Sequence, residues 1–432
     1  MKESFGSLEE AVEWLYGTQL FGVKLGLEGT RRLAAACGVA LGERLSENRG
    51  GVRGGQAQGR SAQGSTFIHV AGTNGKGSTC AMVDAMCRAA GLRTGLYTSP
   101  HLVSVQERFQ FNGECISEAE LLEGLNRMRF LVAGWEPHPT FFELVTVLAL
   151  EWFQSKGAEV VVLETGMGGR LDATNIVTPA ACALSAVGLD HQQYLGQTLR
   201  EIALEKAGVF KPGVPVVSAP QAAEVLDVFE SRAAALGCRL QVLKEPWKGP
   251  NLGLRGAVQR WNAALADAVL TAAEVPVDAR ARALGLGRVQ WPGRFQEVVP
   301  GLVLDGAHNP AAAAVLVETW RETFGELRAP IVFGAMADKD AASVVRLLAP
   351  IVSEFVLVPL KSPRAMDPLS LSALLRLELP GVRCHLSGSV SEALALACAL
   401  SFDGPRLVTG SLFLVGEVIA CLRGQKPEVS VQ

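Results

Sequence analysis

Apolar and polar positions along the chain alternate between short strand-like runs and longer helical stretches. Residues 7–40 have a helical pattern with a break near YGTQLFGVKLG. Apolar runs then recur at TFIHVAG, RTGLYTS, AEVVVLETG, AACALSAVGLDH and GVPVVSA. Helical patterns separate them, including residues 78–90 and a stretch that ends at Gly157. Unbroken apolar runs are typical of strands buried on both faces, so the alternation predicts a parallel sheet covered by helices.

A second series of strand-like runs begins after the sequence GLGRVQWPGRF. The runs LVLDGAH, PIVFGAM, EFVLVPL, VRCHLS and PRLVTGS alternate with helical stretches up to the last residues. A chain of 432 residues also exceeds the usual size of one hydrophobic core. We therefore expect an α/β protein in which residues 1–289 form an ATPase domain built on a P-loop-type, mostly parallel sheet. Residues 290–432 would form a smaller, Rossmann-like α/β domain.

Residues 42–65 interrupt this alternation, because they are Gly-rich and polar and have no hydrophobic period. Such composition is typical of a flexible insertion. A basic, Gly-rich segment can also contact nucleic acid, but a solvated loop is the simpler interpretation. We therefore expect residues 42–65 to be a flexible loop within the first domain.

Composition and charge exclude several classes of function. Lys plus Arg is 40 and Asp plus Glu is 43, and a net charge of -3 does not favour nucleic-acid or anionic-membrane partners. The N-terminal sequence MKESFGSLEEAVEWL is acidic and amphipathic, unlike a signal peptide, and no apolar run is as long as a membrane span. The nine cysteines are scattered without metal-binding spacing. We expect a cytoplasmic protein with reduced thiols, monomeric, acting on small molecules.

The stretch Gly72–Ser78, GTNGKGS, follows the first predicted strand and precedes a helix. Its glycines allow backbone N–H groups to face a phosphate, Lys76 adds positive charge, and a helix N-terminus attracts anions. The sequence departs from the strict pattern G-x-x-x-x-G-K-[ST], because Val70 and Gly77 occupy defined positions of that pattern. A Gly-rich turn without a ligand is the alternative. The strand before it, the helix after it and the lysine within it favour a nucleotide-binding loop of a different type.

Polar residues follow the other predicted strands, at the edge of the sheet where α/β proteins bind ligands. Ser99 follows the second strand, Glu164 ends the third and His191 follows the fourth. An acidic residue in this position often holds Mg²⁺ directly or through water, although it can also cap the next turn. A lone histidine is more often structural, but the place of His191 beside the expected metal favours a ligand. Lys206 would be an ion-pair partner or a desolvated amine with altered chemistry.

The second predicted domain adds polar residues in apolar surroundings, namely Arg294, Asp305 and His308. Two nucleotide-handling regions on two domains suggest a cleft that closes on its substrates. From the residues alone, the sequence predicts a two-domain, ATP- and Mg²⁺-dependent transferase or ligase.

A set of motifs along nearly the whole chain resembles one family. The motifs are FGVKLGLE, HVAGTNGKGST, YTSPHLVSVQERFQFNG, TFFE, LETGMGGRLDATN, LDH, EKAGVFKPG, WPGRFQ, LDGAHNP and GSLFLVGEV. The chain resembles the folylpolyglutamate synthases, including the bifunctional dihydrofolate synthase/folylpolyglutamate synthases, within the Mur ligase superfamily. The loop GTNGKG is then a Mur-type nucleotide loop. The resemblance implies that ATP phosphorylates a carboxylate, and that the amine of L-glutamate attacks the acyl phosphate and releases phosphate. The acceptor would be dihydropteroate or the γ-carboxyl of a folate.

The resemblance also implies roles for residues at matching positions. It implies catalytic roles for Lys76, His191 and Lys206. It implies Mg²⁺ ligands at Ser99, Glu164, His191 and at Lys206 as an N6-carboxylate, which requires a neutral amine. It implies contacts to ATP from Thr73, Asn74, Gly75, Lys76, Gly77, Ser78, Asn262, Arg294, Asp305 and His308. It implies a pterin site at Gly22, Val23, Lys24, Leu25, Thr140, Phe141, Phe142, Glu143, Leu171, Asp172 and Ala173.

The sequence departs from the family pattern in two places. Residues 42–65 are longer than the usual connection, and they lie between a pterin-site segment and the phosphate loop. Val258 stands where the family often has a histidine before the glutamine. The pterin segments are also less diagnostic than the phosphate and metal motifs. The motifs therefore support folate as a substrate more strongly than they support dihydropteroate.

Three alternatives compete with a bifunctional enzyme. A monofunctional folylpolyglutamate synthase would use folate alone. A cell-wall Mur ligase is disfavoured because the loop reads GKGS, and because LDGAHNP and TSPHL are folate-type motifs. A non-catalytic nucleotide-binding regulator would be expected to lack metal-binding or lysine groups. All of the expected groups are present here, namely Lys76, Ser99, Glu164, His191 and Lys206.

Overall fold

The computed structural model describes residues 4–21, 26–42, 64–401, 403–425 and 427–428. The pterin-site prediction for residues 22–25 and the flexibility predicted for most of residues 42–65 fall on residues outside the described ones. The chain forms two compact units. The first unit is Met1–Ser99, Arg108–Glu245 and Ala264–Gly285, and the second is Pro100–Glu107, Pro246–Ala263 and Leu286–Gln432. The boundary at residue 290, as a division of roles between domains, stays a prediction.

In the described part of the first unit, eight strands form one sheet in the order β4-β3-β2-β5-β1-β6-β7-β8. They are β1 (Thr66–Ala71), β2 (Thr94–Tyr97), β3 (Phe109–Phe111), β4 (Glu114–Cys115), β5 (Val160–Glu164), β6 (Ala181–Leu184), β7 (Val216–Ser218) and β8 (Leu240–Val242). The strands pair in parallel except for β3 and β4, which form an antiparallel hairpin at one edge. The parallel strands predicted at β1, β2, β5, β6 and β7 are confirmed. The hairpin and β8 are additions that the apolar pattern did not predict.

Helices pack against this sheet and against one another, in keeping with the buried strands of a parallel sheet. They are α1 (Leu8–Gly17), α2 (Glu28–Ala36), α3 (Lys76–Ala89), α4 (Glu118–Leu131), α5 (Phe141–Ser155), α6 (Gln192–Leu195), α7 (Leu199–Ala207) and α8 (Ala223–Leu236). Short 3-10 helices occupy Thr18–Phe21, Val105–Arg108 and Ala173–Ile176. Two further helices, α9 (Ala257–Ala272) and α10 (Ala279–Arg288), contribute residues to both units.

The register of the central strands places the polar strand ends at one edge of the sheet. Strand β1 lies between β5 and β6 and pairs in parallel with both. Val70 is opposite Glu164 in the pairing of β1 with β5, and Ala71 is opposite Leu184 in the pairing with β6. The phosphate loop, Glu164 and the segment after β6 therefore leave the sheet at the same edge.

The described second unit contains a six-stranded sheet in the order β13-β12-β11-β14-β10-β9. Its strands are β9 (Gln296–Val299), β10 (Leu302–Leu304), β11 (Ala329–Phe333), β12 (Val352–Leu357), β13 (Arg383–Leu386) and β14 (Arg406–Thr409). Its helices are α11 (Pro310–Phe324), α12 (Ala341–Leu348), α13 (Pro368–Glu378), α14 (Val390–Leu400) and α15 (Leu412–Leu422). Only β9, among these strands, is antiparallel to its neighbour. The predicted α/β fold class, with two mostly parallel sheets, is confirmed.

One apolar cluster lies on each face of this second sheet. The cluster around Trp320 and Phe333 packs β10, β11 and β12 against α11 and α12. The cluster around Val408 and Val418 packs the other face against α14 and α15. None of the helices that the structure describes combines the length and the apolar character that a membrane crossing requires.

Candidate active site at the carboxyl edge of the first sheet

The phosphate loop turns sharply at two glycines between β1 and α3. Gly72 has a φ of +146° and Gly75 has a φ of +90°, which glycine adopts without the cost of a side chain. The N–H groups of Lys76, Gly77 and Ser78 begin α3, so they have no acceptor within the helix. The hydroxyl of Ser78 is buried and has no hydrogen-bond partner. The helix N-terminus therefore presents open donors and a polar oxygen that suit the phosphates of a nucleotide.

The first two polar residues of the loop bind protein groups. The N–H groups of Thr73 and Asn74 donate to the carbonyl of Ala186, at 2.9 and 3.1 Å. The Thr73 hydroxyl donates to the Gly188 carbonyl and accepts from the Gly188 N–H, both at 3.1 Å. These bonds fix the loop to the segment after β6. The N–H groups of Lys76, Gly77 and Ser78 remain available to a phosphate, and contacts to ATP from Thr73, Asn74 and Gly75 stay predictions.

Two lysines converge on this loop. The Lys206 ammonium, on α7, donates to the Gly72 carbonyl at 2.7 Å, and Lys76 donates to the Thr73 carbonyl at 3.2 Å. Lys206 is 3% exposed. Burial and, to a smaller extent, the charge of Lys76 lower the pKa of Lys206 to about 7, against the opposing effects of Asp190 and Asp172. A substantial fraction of Lys206 is therefore a neutral amine near physiological pH.

Glu164 and Ser99 meet beside the loop. Glu164 ends β5 and is 5% exposed, and its Oε2 accepts the N–H of Ser99 at 3.1 Å. The hydroxyl of Thr165, the next residue, is buried without a hydrogen-bond partner. No group of three His, Cys, Asp or Glu side chains converges anywhere in the described ranges. One carboxylate with a serine hydroxyl suits Mg²⁺, which takes few protein ligands and is completed by waters and phosphates.

His191 lies at the start of the short helix α6 with a φ of +50°, in the left-handed region. Its N–H donates to Oδ1 of Asp190 at 2.9 Å, and its Nε2 is 4.0 Å from Oδ2 of the same carboxylate. The side chain is 38% exposed. His191 is thus held by its neighbour with an accessible ring, which is compatible with metal binding, and the role itself stays a prediction.

The predicted pterin residues on α5 also have structural roles. Thr140 and Glu143 form a capping box: the Glu143 carboxylate accepts the Thr140 N–H at 2.8 Å and its hydroxyl at 2.9 Å. Phe141 is buried, and its ring stacks on Tyr16 with centroids 5.6 Å apart. Phe142 is half-buried, and its ring lies where a side chain at Gly166 would be. Phe142 is therefore the α5 residue best placed to contact a ligand at the sheet edge.

Asp172 organises the segment that follows Glu164. Its Oδ2 accepts the N–H groups of Gly166 and Met167, both at 2.9 Å. Its Oδ1 accepts the N–H of Thr174 at 3.0 Å and the Thr174 hydroxyl at 2.5 Å. The same hydroxyl lies 2.8 Å from Nε2 of the fully buried His69 on β1. Burial raises the pKa of Asp172, and the bonds from Thr174 and the loop oppose that shift.

The neighbours of Asp172 complete this predicted pterin segment. Leu171 is half-buried, and Ala173 is buried at the start of a 3-10 helix that Asp172 caps. The segment 171–173 is therefore fixed by its own backbone bonds. Contact with a pterin stays a prediction for these residues.

Within the second unit, Asp305 connects the predicted nucleotide residues. Its carboxylate accepts the N–H of Phe295 at 2.8 Å and of Ala307 at 2.9 Å. Phe295 has a φ of +41°, an uncommon value that this bond helps to hold. Burial raises the pKa of Asp305, while the charge of Arg294 is the largest opposing effect. His308 Nδ1 lies 2.8 Å from the Gly306 carbonyl. Arg294, Asp305 and His308 therefore form one cluster.

Asn262 lies on α9 in the same unit, is 6% exposed, and donates through Nδ2 to Gln259 at 2.9 Å. A cavity of about 510 Å³ is lined by Trp291, Arg294 and Glu297, among others. This volume is within the range of small-molecule sites. Asn262 thus bonds a neighbour on its own helix, and its contact with ATP stays a prediction.

Comparison with known proteins reveals the family. The Mur ligase middle domain matches residues 70–218, and the Mur ligase glutamate ligase domain matches residues 287–411. The dihydrofolate synthase/folylpolyglutamate synthase of Bacillus subtilis is 32% identical over 398 residues, which cover 84% of this chain and 87% of that protein. The chain belongs to the folylpolyglutamate synthase family of Mur ligases.

Other members of the family extend the comparison. A probable bifunctional folylpolyglutamate synthase/dihydropteroate synthase of Haloferax volcanii is 37% identical over 94% of this chain, but the match covers 50% of that protein. The chain thus spans about half the length of this relative and of its counterpart in Halobacterium salinarum. The structure of E. coli FolC in complex with DHPP and ADP superposes with a TM-score of 0.84 at 29% identity, covering 98% of this chain and 99% of FolC.

Sequence reasoning did not single out two residues, Ser185 and Arg108, that pack near the candidate site. Ser185 touches Gly72 so closely that a side chain on Gly72 would overlap the Ser185 hydroxyl. Arg108 is fully buried beside Tyr97, and its guanidinium carbon lies 5.2 Å from the centre of the Phe141 ring. Both depend on neighbours distant in sequence. In the sequence, the one signal of this packing is Gly72, the first residue of GTNGKG, because a glycine often marks a place where another group approaches the backbone closely.

Proposed function

We propose that the protein is an ATP-dependent ligase that joins L-glutamate to the γ-carboxyl of folates and to 7,8-dihydropteroate. The open N–H groups of Lys76, Gly77 and Ser78, beside a buried hydroxyl without a partner, carry this proposal. Those groups lie at the same sheet edge as Glu164 and Lys206. The family, and the relatives named as dihydrofolate synthase/folylpolyglutamate synthase and folylpolyglutamate synthase, support it.

The reaction needs an activated carboxylate, because a carboxylate ion is a poor electrophile. The loop N–H groups and Lys76 bind the phosphates of ATP, and the acceptor carboxylate attacks the γ-phosphorus to release ADP. The amine of L-glutamate then attacks the acyl phosphate, an amide bond forms, and inorganic phosphate leaves with the electron pair of the broken C–O bond. The amine loses a proton in this step. The protein contributes mainly positioning and neutralisation of charge.

Ser99, Glu164 and His191 would hold the Mg²⁺. The buried Glu164 carboxylate, with the orphaned Thr165 hydroxyl beside it, is the observation that fits a cation at this place. The metal, when bound, neutralises charge on the phosphate oxygens. The structure of a Yersinia pestis bifunctional folylpolyglutamate synthase/dihydrofolate synthase contains AMPPNP and a Mn ion, and it is 31% identical with a TM-score of 0.82. That similarity supports a divalent cation and ATP as the partners of this site.

Lys206 is proposed to act as an N6-carboxylate. Its neutral amine would attack CO₂ to form a C–N bond and would lose one proton, which leaves an anionic carbamate that retains one N–H. Burial and a pKa lowered to about 7 make the amine available for that attack. The remaining N–H can keep the present bond to the Gly72 carbonyl. The carbamate would place a second anion near the metal ligands.

Nucleotide contacts from the second unit complete the proposal. Arg294 would neutralise phosphate charge, and Asp305, with its neighbour His308, would contact the nucleotide from the loop after β10. Asn262 would add a contact from α9. The clustering of Arg294 and Asp305, and the cavity beside Arg294, support these roles. A monomer that uses only small-molecule substrates is the simplest form of this enzyme.

A cytoplasmic location is part of the same proposal. None of the nine cysteines, all of which the structure describes, forms a disulfide. Compartments that form disulfides seldom leave so many cysteines without one, so this observation supports a reducing environment.

Phosphate release with ATP, Mg²⁺ and L-glutamate tests the proposal, with 7,8-dihydropteroate and a reduced folate monoglutamate as separate acceptors. We expect turnover with both. Turnover with the folate alone would make the protein a monofunctional folylpolyglutamate synthase and would remove the pterin role of residues 22–25, 140–143 and 171–173. No turnover with either acceptor would contradict the proposal and return attention to a cell-wall Mur ligase and to a non-catalytic nucleotide-binding regulator.

A further inference from the structure

Buried hydrogen bonds connect the strand before the phosphate loop to a segment predicted to bind the pterin. His69, on β1, is fully buried, and its Nε2 lies 2.8 Å from Oγ1 of Thr174. Thr174 is also fully buried, and its hydroxyl bonds Oδ1 of Asp172 at 2.5 Å. We call His69, Thr174 and Asp172 the buried link. All three residues belong to the first unit, so the link lies within one compact body.

The donors and acceptors around Asp172 fix the direction of each bond in the buried link. The carboxylate accepts the N–H groups of Gly166, Met167 and Thr174, and it also accepts the Thr174 hydroxyl. Three N–H donors stabilise an ionised carboxylate, which has no proton to give, so the Thr174 hydroxyl must be the donor. A hydroxyl has one proton, so Thr174 can only accept from His69. His69 therefore carries its proton on Nε2.

The other ring nitrogen of His69 agrees with this assignment. Nδ1 is buried and has no hydrogen-bond partner among the residues that the structure describes. Moving the proton to Nδ1 would leave a buried donor there without an acceptor, and Nε2 would face a hydroxyl that has no proton for it. The tautomer with its proton on Nε2 loses only the acceptor capacity of Nδ1. The buried link therefore runs in one direction, from the imidazole through the hydroxyl to the carboxylate.

Asp172 connects the buried link to the loop that follows β5. Its Oδ2 accepts the N–H groups of Gly166 and Met167, both at 2.9 Å. The ring of Phe142, on α5, packs so closely on Gly166 that a side chain there would overlap it. Phe142 and Asp172 both belong to segments predicted to bind the pterin. The orientation of the Asp172 carboxylate therefore sets the backbone against which the Phe142 ring rests.

We propose that His69 and Thr174 are positioning residues for the pterin-containing acceptor, because they fix the carboxylate of Asp172. The inference rests on the proposed function in taking residues 140–143 and 171–173 as the pterin site. Both His69 and Thr174 are fully buried, so they act through Asp172 and not by contact with a ligand. Groups that hold a binding site in place matter because a misplacement of about 1 Å can cost two orders of magnitude.

Two variants of Thr174 separate the role of its hydroxyl from that of its shape. Thr174→Val keeps the shape, but the Asp172 carboxylate loses a donor and the His69 N–H loses its acceptor. Thr174→Ser keeps the hydroxyl and should behave like the wild type. Thr94→Val is the matched control, because the Thr94 hydroxyl is also buried and donates to a buried carboxylate, that of Asp84, at 2.6 Å. This control removes a bond of the same kind from the same unit.

A double variant keeps the inference testable if Thr174→Val is too unstable. His69→Leu/Thr174→Val removes the N–H that the single variant leaves without an acceptor, so it should be at least as stable in urea unfolding as Thr174→Val. Its Asp172 carboxylate still lacks the hydroxyl donor. Its affinity for the acceptor should therefore be as low as that of Thr174→Val.

Calorimetric titration of the protein with ADP and Mg²⁺ present measures acceptor binding without turnover. The ligands are 7,8-dihydropteroate and, separately, a reduced folate monoglutamate. We expect the dissociation constant of the acceptor to rise about 10-fold in Thr174→Val and in the double variant, and to be unchanged in Thr174→Ser and Thr94→Val. The dissociation constant of ADP should be the same in all of these proteins. In phosphate-release assays, the KM for the acceptor should rise while the KM for L-glutamate stays constant.

Three results would overturn this inference. Unchanged acceptor affinity in a folded Thr174→Val protein would show that the buried link does not position the acceptor. Equally weak binding in Thr94→Val would show that affinity follows stability alone. A double variant less stable than Thr174→Val would show that the His69 N–H does not donate to Thr174. A wild-type protein that binds ADP but neither acceptor would instead contradict the proposed function.

Discussion

At the scale of single residues, Lys76 carries the charge expected to bind phosphate. Lys76→Ala should lower kcat/KM at least about 100-fold, the effect of removing one group that stabilises transition-state charge. Its side chain bonds only the Thr73 carbonyl among the contacts described, so the fold should persist. Phosphate release and thermal unfolding measure the two effects. The exposed Lys244→Ala is the control, and a folded Lys76→Ala protein with undiminished turnover would refute the assignment.

The buried His69 should make the free energy of unfolding depend on pH in the acidic range. Burial lowers its pKa to about 3, from 6.5 in an exposed histidine. Between these values the unfolded chain binds more protons, so the free energy of unfolding falls as pH decreases from 6.5 towards 3. His69→Gln keeps a donor for Thr174 and removes this titration. From pH 6.5 to 5, the wild type should lose roughly 2 kcal/mol more than the variant.

Urea unfolding at several pH values measures this difference. His138→Gln, at a half-buried histidine, controls for the loss of any histidine. Identical pH dependence in wild type and His69→Gln would show that His69 titrates normally, and that the buried link from His69 to Asp172 does not exist in solution.

The sequence identified the residues at strand ends, because the alternation of apolar runs shows where strands stop. Glu164 was predicted in this way, whereas Lys206, on α7, was predicted from its place near the expected metal and from the family motif EKAGVFKPG. The sequence did not show that Thr73 and Asn74 are committed to the Ala186 carbonyl, or that Glu143 caps α5. Those facts depend on which backbone groups are neighbours in space, and a single sequence holds no record of that.

At the scale of elements, the turn from β1 into α3 depends on space at Gly72. Gly72→Ala should lower the free energy of unfolding by roughly 1–3 kcal/mol, because the new side chain overlaps Ser185 and the φ of +146° is unfavourable. The double variant Gly72→Ala/Ser185→Gly removes the overlap but not the backbone cost. It should recover part of the loss in urea unfolding. A double variant no more stable than Gly72→Ala would show that steric overlap is not the cause.

Variants of Thr140, at the start of α5, can distinguish its role as a helix cap from its predicted role in pterin binding. Thr140→Ala removes the helix cap and should cost about 1 kcal/mol, whereas Thr140→Ser keeps the hydroxyl and should cost little. Chemical denaturation measures both. If Thr140 also contacts the pterin, the KM for dihydropteroate should rise in Thr140→Ala and not in Thr140→Ser. Equal stabilities of the two variants would contradict the cap.

Most strands and helices were predictable, because the spacing of apolar and polar residues that marks each of them lies within one short stretch of sequence. The parallel strands carry long apolar runs, and their helices carry a regular polar face. The hairpin of β3 and β4 was missed, since strands of three and two residues are too short for a period. Strand β9 was missed because its residues alternate between half-buried and exposed at a sheet edge.

At the scale of the whole molecule, shortening residues 43–63 tests whether the stability of the fold depends on the length of this segment. The backbone is anchored on each side: the Thr178 N–H donates to Leu41 at 2.8 Å, and the Ser65 hydroxyl donates to Ala158 at 2.7 Å. Replacing residues 43–63 with a short Gly-Ser linker should shift the unfolding midpoint by no more than about 2–4 °C, because closure entropy varies slowly with loop length. Aggregation of the shortened protein would show that this segment packs against the fold.

The interleaved course of the two units limits how this chain can exchange segments with its relatives. A single genetic crossover near residue 290 would inherit residues 100–107 from one parent and the helix beneath them from the other. The Leu102 backbone packs closely on Gly416, and the Ser104 hydroxyl donates to Glu428. In such a chimera, each of these two contacts would join residues from different parents. Chimeras should therefore be active only when these segments come from the same parent. The sequence reads as two successive domains, but these contacts would restrict the crossovers between related genes that yield an active protein.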